Sequence, residues 1–301
     1  MAEIGFHTLD VFTDRVFGGN PLAVFPDGDG VPDETMQRIA RELNLSETVF
    51  VTAPAAGGDF RLRIFTPATE LPFAGHPTVG TAVLLASLGR VALSGGRGEV
   101  VFEEGVGPVR VALRAEEGRP VFAQLTTSVT PETGPPAPAP SVLAEVLSLA
   151  ETDLGGSLGP ATASAGVPFT VVPVRDRAAL ARVRLNATAW ERHLRDAWGP
   201  HVYVVTDDVD DADARVRMFA PAMGIAEDPA TGGAAAALIA LLAARDAKGD
   251  GTLSWVVEQG IEIGRPSRLH LEADVRAGRL VAARVGGTAV RVSRGWMDDG
   301  T

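Results

Sequence analysis

Apolar and polar positions in the first part of the chain predict strands at residues 6–12 (FHTLDVF) and 22–25 (LAVF), separated by the turn Phe17-Gly18-Gly19-Asn20-Pro21. From Asp33 the period changes. Met36, Ile39, Ala40 and Leu43 fall on one face of a helix that Asp33 caps and that stops near Asn44. A strand follows from Glu47, in which strict alternation puts that carboxylate on the face of Val49 and Val51. Two segments, 79–88 and 234–244, are almost wholly apolar and lack a polar stripe, which predicts helices buried on every side. Neither is long enough to span a membrane. Strands are predicted again at 100–102, 109–113, 121–125, 268–272, 279–285 and 289–293, and the proline-rich run 130–140 reads as a stiff, solvated linker.

The pattern repeats. Arg63-Ile64-Phe65-Thr66-Pro67-Ala68 returns as Arg217-Met218-Phe219-Ala220-Pro221-Ala222, a spacing of 217 − 63 = 154. Glu70, Pro72 and Gly75 return as Glu227, Pro229 and Gly232, spaced by 227 − 70 = 157, so the second loop is three residues longer. Val100–Gly105 is answered by Trp255–Gly260 at 255 − 100 = 155. Each half reads as strands, one buried helix and more strands, that is, an α+β chain with a sheet curled around a central helix, divided as 1–130 and 131–301 with the last strand able to cross back. A parallel Rossmann sheet does not fit, because helices are few and no G-x-G-x-x-G follows a strand.

Composition narrows the chemistry. The chain has 301 residues, 46% of them hydrophobic, enough for two domains of about 150 residues each. A formal charge of −11, with Lys248 the only lysine, makes nucleic acid and anionic membrane surfaces poor partners. The absence of cysteine removes disulfides, thiolate metal sites and thiol nucleophiles, and no secretory-type leader is visible in MAEIGFHTLDVF, so a cytoplasmic location is expected. The five histidines show no metal-ligand spacing, and there is neither a phosphate loop nor a G-x-S-x-G turn. No metal or cofactor is therefore expected, and cofactor-free proton transfer is the chemistry the residues best support.

Three ionisable groups sit where the repeat places them at the central helices: Glu47 on its strand, His76 opening the first helix and Asp228 just before the second. The small residues Gly75, Gly232 and Gly233 leave first-turn N–H groups open to an anion, such as a substrate carboxylate. A carboxylate and an imidazole beside two such helix starts can move a proton while the amides hold the substrate. Taken singly, each residue has a plainer reading. Glu47 is then a surface residue after a helix, His76 a turn residue before Pro77, Asp228, Glu70 and Glu227 helix-start acids, and Thr231 an ordinary cap.

The segments DVFTDRVFGGNPLAVF (10–25), NLSETVFV (44–51), RIFTPATELPFAGHPTVGTA (63–82), EDPATGGAAAAL (227–238), EQGIEIGRPSRL (258–269) and VGGTAVRV (285–292) resemble, in order, those of the PhzF-like family of phenazine-biosynthesis isomerases. The resemblance implies a diaminopimelate epimerase-like α+β fold of two pseudo-symmetric halves, a site in the cleft between them and a homodimer. It implies a small carboxylate substrate, Glu47 as the proton carrier with a pKa raised by burial, and His76 and Asp228 as its catalytic partners. Asn20, Gly75, Thr231, Gly232 and Gly233 are implied as substrate-binding positions. The phenazine-forming isomerase carries a serine after T-G where this chain has Gly233, so one substrate-touching hydroxyl is absent. The two cysteines of the related racemases correspond to Ala74 and Thr231, which excludes two-thiol racemisation. A cofactor-independent isomerase is the expected activity; a non-catalytic carboxylate-binding protein, or a lyase using the same C–H cleavage, are the alternatives.

Overall fold

The alternating N-terminal segment forms β1 (Glu3–Val11), which ends where Phe12 takes a φ of +65°. The chain turns back as β2 (Asn20–Phe25), pairing Val11 with Asn20, and continues through α1 (Asp33–Leu43) into β3 (Glu47–Thr52). β3 runs parallel to β2, with Leu22 opposite Glu47, and pairs on its other side with antiparallel β4 (Phe60–Phe65). After the short β5 (Glu70–Leu71) comes α2 (Gly75–Ser87), then the antiparallel run β6 (Arg97–Glu104), β7 (Gly107–Arg114) and β8 (Phe122–Thr126). α2 packs against β1, β2, β3, β7 and β8, which curl around it. Gly80 permits the close approach, since a Cβ there would lie 2.6 Å from both Leu22 Cδ2 and Val11 Cγ2. On the outer face α1 buries Met36, Ile39 and Ala40 against Phe25, Phe50 and Phe65.

The second set of elements begins with β9 (Glu132–Thr133), α3 (Pro140–Leu147), β10 (Ala161–Ser164), β11 (Pro168–Pro173), α4 (Arg177–Arg182) and α5 (Ala187–His193). It continues with β12 (His201–Thr206), β13 (Ala214–Ala220), β14 (Ile225–Asp228) and the second central helix, α6 (Gly232–Asp246). β15 (Gly251–Gln259), β16 (Ser267–Arg276) and β17 (Arg279–Asp298) close it. α6 packs against β9, β10, β11, β15 and β16, while α3, α4 and α5 cover the outer face through Leu143, Leu180, Trp190 and their neighbours. The last part of β17 pairs antiparallel with β1, from Ala289 opposite Val11 to Asp298 opposite Glu3.

This computed structural model describes residues 3–117 and 121–298, and the chain divides into two compact units, Met1–Ser128 with Gly286–Thr301, and Val129–Val285. Each is a mostly antiparallel sheet around one buried helix, the α+β architecture that the repeat pointed to. Among the described residues no helix is long and apolar enough to cross a membrane.

Several local expectations are corrected. Pro32, not Asp33, precedes α1; Asp33 is its first residue, and its carboxylate accepts from Arg63 Nη1 at 2.7 Å instead of capping. Both central helices begin earlier than their apolar runs, because Gly75 and Gly232 are already helical. The strands expected at 279–285 and 289–293 are one strand, β17, since Gly286-Gly287-Thr288 remains extended where Gly286 lies against the Ala123 carbonyl. The run 130–140 is only partly a solvated linker: it holds β9, which pairs with β10, Pro131 is buried, and Pro140 opens α3.

The repeated arginine and glutamate meet in both units. Arg63 Nε and Nη2 donate to Glu70 at 2.6 and 2.8 Å, and Arg217 Nε and Nη2 donate to Glu227 at 2.8 and 2.6 Å. Each guanidinium also lies over the phenylalanine two residues on, at 5.2 Å from Phe65 and 5.1 Å from Phe219. Glu70 and Glu227 are thus the anion halves of bidentate pairs, not helix-start acids.

Candidate active site

In the first unit, β3 begins at Glu47 and α2 presents His76 as its second residue, so that His76 Nε2 lies 3.3 Å from Glu47 Oε2. Both are buried, at 5% exposure for His76 and 9% for Glu47. The plainer reading of Glu47 as a surface residue fails, because its strand lies between β2 and β4 and every residue from Glu47 to Val51 is buried. Burial pushes the His76 imidazole down to about 3, and a hydrogen bond to the Pro21 backbone acts the other way. His76 is therefore neutral at ordinary pH. With Nε2 turned to Glu47, the N–H that reaches the Pro21 carbonyl is on Nδ1, leaving a lone pair on Nε2.

Asn20 and Pro21 open β2 beside this pair. The Asn20 side chain is fully buried, and its Oδ1 accepts from Ser46 Oγ at 3.4 Å. The N-cap of α2 is Ala74, which offers no side-chain acceptor, so the first-turn amides of Gly75 and His76 are not capped by it. The first unit thus brings together Glu47, His76, Gly75 and Asn20.

In the second unit, Asp228 ends β14 and is 5% exposed. Its Oδ2 accepts from the Thr231 hydroxyl at 2.5 Å. Gln259, at the end of β15 and fully buried, donates from Nε2 to the Asp228 carbonyl at 2.7 Å and to Thr231 Oγ1 at 3.0 Å, and its Oε1 accepts from the Thr231 amide at 3.2 Å. Tyr203 Oη donates to the same Oε1 at 3.5 Å. Burial, and then the charge of Asp228, holds the Tyr203 phenol well above its ordinary range, so it stays a donor. Thr231 is the N-cap of α6, but its hydroxyl bonds back to Asp228 instead of to the first helical turn. This fixes the carboxylate relative to Gly232 and Gly233. Gln259 and Tyr203 were not among the residues expected at the site. Gln259 could have been found from the answering Trp255–Gly260 segment, whereas Tyr203 lies in the stretch 141–206, where no element was predicted.

A Cβ at Gly233 would meet nothing within 4 Å. Gly233→Ser should therefore fold with a stability within about 1 kcal/mol of the parent, a helical serine being slightly better than glycine. Thermal unfolding checks this; a loss above about 2 kcal/mol would show that the space is not open. Among the described residues no group of three His, Asp or Glu side chains could hold a metal ion.

The family model described as phenazine biosynthesis-like protein matches residues 9–295. The chain is 43% identical over 293 residues to an uncharacterized isomerase of Mesorhizobium japonicum, covering 95% of this chain and 96% of that one. It is 36% identical over 288 residues to the trans-2,3-dihydro-3-hydroxyanthranilate isomerase of Pseudomonas aeruginosa, with the same coverage. The crystal structure of a PhzF-family phenazine biosynthesis protein from Bacillus anthracis superimposes with a TM-score of 0.88 at 28% identity, over 99% of each chain. With a near end-to-end match in sequence and fold, and relatives that are named isomerases, the chain belongs to the phenazine biosynthesis-like family and is an isomerase of the PhzF type.

Proposed function

We propose that the protein isomerises a small carboxylate by moving a proton, without a cofactor, with Glu47 as the carrier. The observation that carries this reading is the buried contact of Glu47 Oε2 with His76 Nε2 at 3.3 Å, which sets a carboxyl group beside an imidazole that burial keeps neutral. In an allylic isomerisation the Glu47 carboxylate takes a proton from carbon, the electron pair shifts across the adjacent double bond, and Glu47, its proton exchanged with water in between, delivers a proton to the far carbon. In an epimerisation a second group delivers a proton to the same carbon from the opposite face. Neither step changes the composition of the substrate, so no co-reactant is needed. His76 orients Glu47 or exchanges a proton with it, and Asp228, held by Thr231 and Gln259, orients the substrate or exchanges a second proton. Amides at Gly75, Gly232 and Gly233 bind the carboxylate and spread the charge that develops. Asn20 and Thr231 complete the binding positions. The proposed setting is a cytoplasmic homodimer.

The relatives' trans-2,3-dihydro-3-hydroxyanthranilate is the first substrate to try, and Gly233 favours a ligand that fills the space a serine would take. Incubation of that compound and of other small unsaturated carboxylates in deuterated water tests the reading by mass spectrometry and NMR. Deuterium at carbon with no loss of water supports isomerisation. Loss of water would identify a lyase, and binding with no deuterium in any compound would leave a carboxylate-binding protein.

A further inference from the structure

Glu104 is a second buried acid of the first unit, 8% exposed, and plays no part in the proposed proton transfer. It ends β6 and reaches the first turn of α2. There Thr78 Oγ1 has two oxygen neighbours, Ala74 O at 2.8 Å and Glu104 Oε1 at 2.7 Å, but one hydrogen. A carbonyl can only accept, so Thr78 donates to Ala74. The contact with Glu104 is then attractive only if Glu104 supplies the proton. Assigning the hydroxyl proton to Glu104 instead would leave two bare oxygens 2.8 Å apart. Glu104 Oε2 is buried with no hydrogen-bond partner among the described residues, a place for a carbonyl-like oxygen of a neutral acid and a poor one for half a negative charge.

The other half of the molecule supports the same assignment. Glu104 corresponds to Gln259, 259 − 104 = 155 residues on, and each ends its strand just before a glycine that presses on the repeated proline. A Cβ on Gly105 would lie 2.7 Å from Pro72 Cα, and one on Gly260 would lie 2.6 Å from Pro229 O. Gln259 braces the turn before α6 by donating N–H groups to a turn carbonyl and a threonine hydroxyl. The same place before α2 calls for a neutral donor.

We infer that Glu104 is a positioning residue that works as an uncharged carboxylic acid, donating through Thr78 to the Ala74 carbonyl and so fixing the turn from which Gly75 and His76 emerge. Its link to catalysis rests on the proposed role of His76. Burial pushes the Glu104 carboxyl up to about 8, with the Thr78 contact acting the other way. Charged groups on the surrounding elements act elsewhere. Arg61 of β4 acts on Glu103, which points to the opposite face of β6; Arg63 is paired with Asp33 and Glu70; Arg110 of β7 is paired with Glu99; and His76 of α2 faces Glu47.

Thermal unfolding of the parent, Glu104→Gln and Glu104→Leu between pH 5 and 9 tests the charge state without any substrate. A carboxyl whose pKa is raised in the fold keeps a proton that the unfolded chain releases. Its contribution is complete below the unfolded value of 4.5 and is lost as pH rises towards about 8. The parent melting temperature should therefore fall by several degrees more than that of Glu104→Gln between pH 5 and 8, and the two should run parallel above pH 8. Parallel behaviour across the whole range would overturn the uncharged-acid assignment. Nitrogen-15 histidine spectra test the positioning: His76 should keep its Nδ1–H tautomer in Glu104→Gln and lose it in Glu104→Leu, and an unchanged His76 signal in Glu104→Leu would overturn it. With a turned-over carboxylate, kcat of Glu104→Leu should fall roughly tenfold to a hundredfold and be rescued in Glu104→Gln. If the parent is itself inactive, the proposed reaction fails while the melting and histidine results still decide the role of Glu104.

Discussion

Glu47→Gln should lower kcat by about 10²- to 10⁴-fold, the usual range for removal of a positioned acid or base, and should abolish deuterium incorporation at carbon. Gln keeps the volume and shape of Glu, so the β2–β3–β4 packing around position 47 is undisturbed. It can also hold His76, because an amide N–H can donate to the Nε2 that now faces Glu47 Oε2 at 3.3 Å. What it cannot do is take a proton from carbon. Stability should change by no more than about 1 kcal/mol, and KM much less than kcat, the pattern of an interaction made in the transition state. Turnover of Glu47→Gln at the parent rate would falsify the carrier role, and a large stability loss without a kcat effect would make the pair structural.

Glu227→Ala should be the most destabilising of the substitutions considered, by about 3–5 kcal/mol, because it strands a buried cation. Arg217 is 5% exposed, and its remaining hydrogen bonds run from Nη1 to the Leu180 and Val183 carbonyls at 3.0 Å each. Those carbonyls solvate the guanidinium but carry no full charge to balance it. The repeat provides the control. Glu70→Ala removes the equivalent partner from Arg63, yet the Glu70 side chain is 43% exposed, and Arg63 keeps Asp33 at 2.7 Å. That loss should stay within about 1 kcal/mol. Urea unfolding of the two variants side by side checks the contrast, and equal losses would show that burial does not distinguish the pairs. Because Glu227 precedes Asp228 on β14, Glu227→Ala should also loosen the Asp228–Thr231 turn.

The repeat carried much of the architecture because each of its parts depends on near neighbours. An unbroken apolar run makes 79–88 and 234–244 helices that must be buried, and alternation in 100–113 makes strands wherever the chain goes. Its arginine and glutamate are 70 − 63 = 7 and 227 − 217 = 10 residues apart, so their coincidence in both halves was visible as a pattern, though not as an ion pair. The stretch 141–206 gave less away. Its helices are short, with α4 and α5 held by Asp176 and Asn186 caps, and its strands read without strict alternation because both faces are covered.

From the chain alone came the duplication, the α+β class and the types of side chain available for chemistry, because composition and periodicity are properties of the residues themselves. Which atoms meet was settled by tertiary structure. Glu47 reaches His76 across 76 − 47 = 29 residues, Thr78 reaches Glu104 across 26, and Gln259 reaches Asp228 across 31. Such contacts depend on strand register and on where a helix enters its sheet, and a shift of one residue would turn each side chain to the other face. The same burial makes His76 neutral and keeps a proton on Glu104, since a charge costs free energy only once water has been removed from around it.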